Sequence, residues 1–226
     1  MNINVVVLLC ETLVIFGSLV GVFKLFGKSG LFMWAGLAPV MANIMTVKNA
    51  NIFGMNSTCG TVLFASIFLC TDIISEKYGA KESRKAVLIG VASSILFILS
   101  SQICLLYIPS EVDVMNDTLK NLLSLNLRVT IASMVCFLAS NILDVIIYNK
   151  LKDKTSGKKM WLRNNISTII CNCAENFAFI FLAYVGIFDG ATIISIALST
   201  SVIELIVAVL DTPFLYLAKK IEKTEG

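Results

Sequence analysis

Histidine does not occur anywhere in the 226 residues. That excludes Ser-His-Asp triads, HExxH zinc sites and imidazole proton relays. Charge is scarce as well. Charged residues make up 15% of the chain, against about 25% in a soluble domain. Long polar stretches are missing: the longest connection, around Lys150 to Arg163, is short, and 57% of the residues are hydrophobic. The chain therefore reads as one membrane domain over residues 1–226. It carries no P-loop or other nucleotide-binding motif. The start lacks the basic residues of a signal peptide, and its apolar run is too long for one. Seven cysteines are present, mostly inside apolar runs. Cys171 and Cys173 would point in different directions on a helix, which suits neither a disulfide nor a metal site. No metal and no cofactor is expected, and an enzyme is not expected either. The net charge of +3 reflects where cations sit on a membrane and is not read as nucleic-acid binding.

What is present is a series of seven apolar segments, roughly 4–26, 31–47, 57–75, 86–108, 129–148, 166–187 and 191–217. Most approach the ~20 residues needed to span a bilayer. The second is short and holds Gly36, Pro39 and Asn43, so a kink or break is expected there. With the N-terminus outside, 15 of the 18 Lys and Arg fall in the inner loops, and only Lys48, Lys120 and Arg128 fall outside. The outer loop from Pro109 to Leu123 is acidic instead. This bias predicts an all-α, polytopic helical bundle with seven spans, N-out and C-in.

Inside this apolar frame sit polar groups that are costly to insert. The sixth segment carries Asn172 and Glu175, three residues apart and so on one helical face. Counted from Arg163 at about 1.5 Å per residue, they lie roughly 13 to 18 Å deep, near the middle of a ~30 Å hydrocarbon core. An ionisable group at that depth normally faces a partner or a wet cavity. The fifth segment repeats the pattern with Asn141 and Asp144, which suggests two similar half-sites facing each other. The third, fifth and seventh segments run in the same direction, and each places an aspartate (Asp72, Asp144, Asp211) shortly before a basic end. This is the less favourable end of a helix dipole for an anion, so propensity does not explain it. Glu11 and Glu204 are further intramembrane acids, and Glu204 shares a face with Asp211. Gly17 and Gly21 fit close helix packing.

The stretches ANIMTVKNANIFG (42–54), TDIISEKYGAKESRKAVLIG (71–90), SNILDVIIYNKLKDKTSGKKMWLRNNIST (140–168) and LDTPFLYLAKK (210–220) resemble the queuosine-precursor transporters, a vitamin-uptake family. The resemblance covers about residues 30 to 220. It implies a bacterial inner-membrane carrier that imports queuine or other 7-deazaguanine bases for salvage into tRNA, built on a six-helix core plus an extra N-terminal helix. The family's polar positions fall here on Asn43, Lys48, Asp72, Glu76, Asn141, Asp144, Arg163, Asn164, Asn172, Glu175 and Asp211. Where the family shows Gln-x-x-Asp on its fifth and sixth helices, this chain has Asn141 with Asp144 and Asn172 with Glu175.

The chemistry suits that class. A deazaguanine edge offers parallel N–H donors beside a carbonyl, which a carboxylate and a side-chain amide complement. Phe177, Phe179 or Tyr148 could stack on the ring, although for any one of them a lipid or packing contact is the commoner use. The expectation is a wet pocket at half-depth in which amide-plus-acid pairs on facing helices grip a flat base. The rival readings are a proton-coupled carrier of another small heterocycle and the substrate-binding subunit of an ATP-driven vitamin uptake complex. The partners so implied are the substrate, the lipid bilayer, and either a second copy of the chain or an ATPase coupling module.

Overall fold

The computed structural model describes residues 3–46, 48–123, 127–156, 158–186 and 189–221. Val47, Ile187 and Lys223, counted in the expected spans and basic loops, lie outside the described residues. The elements, in order, are α1 (Ile3–Met45), β1 (Asn49–Ile52), β2 (Met55–Thr58), α2 (Thr61–Lys77), α3 (Ala80–Cys104), α4 (Asn116–Leu123), α5 (Leu127–Lys154), α6 (Met160–Tyr184) and α7 (Gly190–Lys220). Among the described residues, α1, α3, α6, α7 and the Ala132–Lys154 part of α5 are long and apolar enough to cross a membrane. Large apolar side chains such as Leu13, Leu25, Leu96, Val135, Phe181 and Leu198 point outward, as on a lipid-facing wall. The architecture is a multi-pass membrane bundle of helices.

A straight helix of 43 residues would run about 65 Å, twice the hydrocarbon thickness. Gly27 resolves this with φ 57° and ψ −137°, a conformation open to glycine. Beyond it the chain doubles back so closely that a β-carbon on Gly30 would lie 2.8 Å from the Val22 carbonyl oxygen. The two ends of α1 meet the same feature: Asn4 Nδ2 donates to the Asn51 carbonyl at 2.7 Å. The first limb sets Phe16 edge-on against Phe214 of α7. In the second limb, Trp34 Nε1 donates to Ser66 Oγ on α2 at 3.0 Å. The reversal thus falls between the first two expected segments. The break expected near Pro39 does not occur, since Pro39 lies inside the second limb. Its missing N–H frees the Ala35 carbonyl, and Gly90 of α3 is the residue small enough to approach that oxygen.

A hairpin and a short helix lie where the apolar segments led to neither. Residues 49–58 form an antiparallel hairpin with Ile52 opposite Met55, turning at Phe53 and Gly54, both with positive φ. The stretch expected as an acidic loop contains the short helix α4.

α2 is the central pillar. It is buried on nearly every side and packs against α1, α3, α5 and α7. α5 and α7 run parallel to it. Asn149 of α5 donates to Ser75 Oγ of α2 at 3.3 Å, and Lys77 donates to the Lys219 carbonyl of α7 at 2.7 Å. α6 runs antiparallel to both of those neighbours, with Ser140 Oγ donating to the Cys171 carbonyl and Asn164 donating to Asp211. The basic ends gather at one end of the bundle, where Lys28 at the α1 reversal pairs with Glu82 at 2.8 Å.

Candidate functional site

Three parallel helices carry the expected aspartates to one level. Asp72 on α2, Asp144 on α5 and Asp211 on α7 are each 0% exposed. Asp72 lies beside Asp144 and within electrostatic reach of Asp211. α6 closes the group from the opposite direction. Its Asn164 Nδ2 donates to Asp211 Oδ1 at 2.5 Å, and Ser167 lies beside Asp144. Asn165 adds a 2.7 Å bond to Thr212 Oγ1 next to Asp211.

One helical turn towards the basic end lies an ion-pair cluster. Arg163 is the largest fully buried side chain; its Nη2 donates to Glu76 Oε2 at 2.5 Å. Lys152 and Lys219 reach the same carboxylate, each at 3.2 Å. The Arg163 guanidinium also sits 5.2 Å from the centre of the Tyr148 ring. Tyr148, one of three aromatic residues that could have stacked on a base, is here a fully buried packing contact of Arg163.

Many polar atoms in this region are buried without a hydrogen-bond partner among the described residues. They include both carboxylate oxygens of Asp72 and of Asp144, Asp211 Oδ2, and the amide oxygens of Asn141, Asn164 and Asn172. Such atoms cost about 1–3 kcal/mol each when left dry and unpaired, so their concentration marks a place built to meet something else. The amides of Asn141 and Asn164 are each oriented by one N–H, donated to the Phe137 carbonyl and to Asp211, which leaves their oxygens unpartnered among the described residues.

The expected site residues divide into groups. Asp72, Asp144, Asn164 and Asp211 come together, with Glu76 one turn below and Asn141 one turn above. Asn172 is buried on the same face of α6, three residues from Glu175. Glu175 itself lies beside Ser140 and Cys136, not beside Asp144. Asp144 and Glu175 are thus offset by eight residues of helix, about 12 Å in depth, too far apart to hold one edge of one base together. Glu175 belongs with Glu204, whose Oε2 accepts from Asn176 Nδ2 at 2.6 Å. Asn43 borders a small crevice with Pro39, Phe64 and Phe137, one turn from Asn141 along α5. Lys48 is exposed at the start of the hairpin, with its carbonyl accepting from Cys59 N at 2.8 Å. Phe177 is exposed, and Phe179 packs edge-on against Tyr184.

Asn176, Ser167 and Thr168 were not anticipated. Ser167 and Thr168 follow Asn164 by one turn, and that spacing is the signal in the sequence that would have found them.

Residues 58–218 match the family model described as "Putative vitamin uptake transporter". The chain is similar to the "Probable queuosine precursor transporter" of Bacillus subtilis (strain 168), 36% identical over 199 residues that cover 88% of this chain and 87% of that one. It is 30% identical over 135 residues to the protein of the same name from Haemophilus influenzae, covering 60% of this chain and 55% of that one. It is 28% identical over 153 residues to the "Queuosine precursor transporter" of Escherichia coli (strain K12), covering 66% and 64%. No solved structure matches the chain.

Proposed function

Because this chain belongs to the vitamin uptake transporter family, in which 58–218 places it, we propose that it imports queuosine precursors, 7-deazaguanine bases salvaged for tRNA modification, across the bacterial inner membrane. The observation that carries the reading is the level of three buried aspartates with Asn164, at which so many carboxylate and amide oxygens lack a partner. An apolar bundle built only for stability would have little use for it.

In this reading the two limbs of α1 with α2, α3, α5, α6 and α7 make seven spans, N-out and C-in. The first limb is the addition to a six-helix core, and the basic end faces the cytoplasm. The base is held by Asp72, Asp144, Asn164 and Asp211, with Asn141 and Asn172 on its outer side. Asn43, Lys48 and Glu175 lie along the approach to that level rather than around the base. The Glu76–Arg163 pair closes the inner side and joins α2 to α6. Parting that pair opens the site to the cytoplasm, and restoring it with the outer side open completes an alternating-access cycle.

The test is uptake in a bacterial strain that can neither synthesise nor import the precursors. Labelled bases are supplied, and queuosine in tRNA is the readout. Wild-type protein restores the modification in this reading. Failure to restore it with any 7-deazaguanine base, in cells whose membranes hold the protein, would refute the proposal.

A further inference from the structure

We infer that the three-aspartate level selects a base carrying a protonated amine over its uncharged counterparts. The inference rests on the proposed transport of deazaguanine bases and concerns which of them fit. It follows from a mismatch of charge and of hydrogen-bonding sense.

The mismatch in charge comes first. Asp72, Asp144 and Asp211 are fully buried, and the buried cation within electrostatic reach of Asp72 is Arg163. Arg163 is already committed to Glu76. The other cations on Glu76, Lys152 and Lys219, have side chains 28% and 46% exposed, where water screens them. The charged groups nearest the level are Asp72 and Glu76 from α2, Asp144 and Lys152 from α5, Arg163 from α6, and Asp211 and Lys219 from α7, with a further acid, Glu175, farther along α6. The buried level is left acidic, and a buried carboxylate is tolerated when a proton or a cation neutralises it.

The sense of the hydrogen bonds points the same way. Most of the partnerless atoms at the level among the described residues, those of Asp72, Asp144, Asp211, Asn141, Asn164 and Asn172, are oxygen acceptors, and the Thr168 hydroxyl is one that can also donate. Asn141 and Asn164 each direct an amide N–H to an acceptor of the protein, so that acceptors outnumber donors at this level. A ligand that satisfies such a wall brings donors. The guanine-like edge supplies some of them to one carboxylate, and a primary or secondary ammonium on the five-membered ring supplies two or three more with a positive charge. A nitrile at the same position supplies an acceptor to a wall of acceptors and leaves the charge uncompensated. An inorganic cation or a proton would answer the same mismatch, so the test separates these sources.

The experiment compares two labelled 7-deazaguanines, one with an aminomethyl group and one with a nitrile on the same carbon. Each is supplied to the deficient strain carrying wild-type protein, Asp72→Asn or Asp144→Asn at matched membrane levels. A charge-assisted hydrogen bond lost from a dry site corresponds to about tenfold or more in uptake. The expected result is that wild type favours the aminomethyl base by about that factor, and that each variant lowers uptake of the aminomethyl base by more than it lowers uptake of the nitrile, so that the preference is lost. In purified wild-type protein the aminomethyl base raises the melting temperature at concentrations where the nitrile does not, a readout that needs no variant to fold.

Equal uptake and equal thermal stabilisation by both bases would overturn the inference and leave the transport proposal standing. A preference that survives both substitutions would also overturn it, because the three-aspartate level would not be its source. Equal loss of both bases in the variants, matched in wild type by removing sodium or collapsing the proton gradient, would assign the level to an inorganic ion instead. Uptake of neither base would defeat the transport proposal itself.

Discussion

Replacing Glu76 by Gln removes the carboxylate on which Arg163, Lys152 and Lys219 converge. The substitution is nearly isosteric, so the loss is one of charge. Arg163 has no exposed side-chain surface, and Glu76 is 10% exposed. Removing one partner of such a buried pair costs about 3–5 kcal/mol, because the other charge is stranded. Here the lower end applies. Arg163 keeps the Tyr148 ring at 5.2 Å, a bond from Nη1 to the Lys158 carbonyl at 3.3 Å, and the field of Asp72. About 3 kcal/mol corresponds to a drop in melting temperature of roughly 6–12 °C for a chain of this size. Lys219 is the internal comparison. Its side chain is 46% exposed at 3.2 Å from the same carboxylate, so Lys219→Met should cost at most about 1 kcal/mol. Thermal unfolding of the purified proteins in one detergent, followed by intrinsic fluorescence, reads both. A Glu76→Gln protein melting within about 2 °C of wild type, or a Lys219→Met protein falling as far as Glu76→Gln, would refute the view that the buried Arg163–Glu76 pair holds α2 to α6.

Other substitutions test separate contacts. Gly90→Ala would drive a methyl group to 2.8 Å from the Ala35 carbonyl oxygen and should cost about 1–3 kcal/mol by overpacking, whereas Gly21→Ala meets nothing within 4 Å and should leave the melting temperature unchanged or slightly raised. Asn164→Ala takes from buried Asp211 its 2.5 Å donor; a destabilisation of about 1–3 kcal/mol with loss of uptake is expected, and normal uptake would remove Asn164 from the site. Asp189, exposed ahead of α7, caps that helix by accepting from Thr192 N at 3.0 Å, and its bonds to Thr192 hold its carboxyl below the usual aspartate range. A depressed pKa contributes stability above the ordinary aspartate range that is lost as pH falls through the lowered value. Asp189→Ala should therefore melt lower than wild type at neutral pH, and the gap should close in acid; a gap independent of pH would refute the cap.

Much of the helical layout could be read from the chain because apolar runs are long and cations are sparse between them. The reversal at Gly27 lies in FGKSG, where two glycines and a lysine interrupt the apolar pattern. The common level of Asp72, Asp144 and Asp211 was legible from their shared distance to a basic end on alternate segments. The hairpin at 49–58 was not. NANI alternates polar and apolar residues over only four positions and MNST does not alternate, and no two-sheet core demands a hairpin there. α4 escaped for a similar reason, since it buries nothing and its acidic start reads as loop. For Tyr148 the sequence leaves two uses open, stacking on a ligand and packing, and the position of Arg163 chooses packing.

The pairing of Asp144 with Glu175 failed on an argument already contained in the topology. In both motifs the acid follows the amide by three residues, Asn141 to Asp144 and Asn172 to Glu175. On antiparallel helices the same order runs in opposite directions. With Ser140 beside Cys171, the two asparagines fall at nearly the same depth, while the acids diverge, Asp144 towards Ser167 and Glu175 towards Cys136. A depth-matched acid pair on α5 and α6 would require one motif with the acid before the amide. Carboxylates borne at equal distances from a common end meet when their helices run parallel, as α2, α5 and α7 do. The antiparallel α6 meets that group through Asn164, close to its own N-terminus, and carries its glutamate away to a second level shared with Glu204 and Asn176.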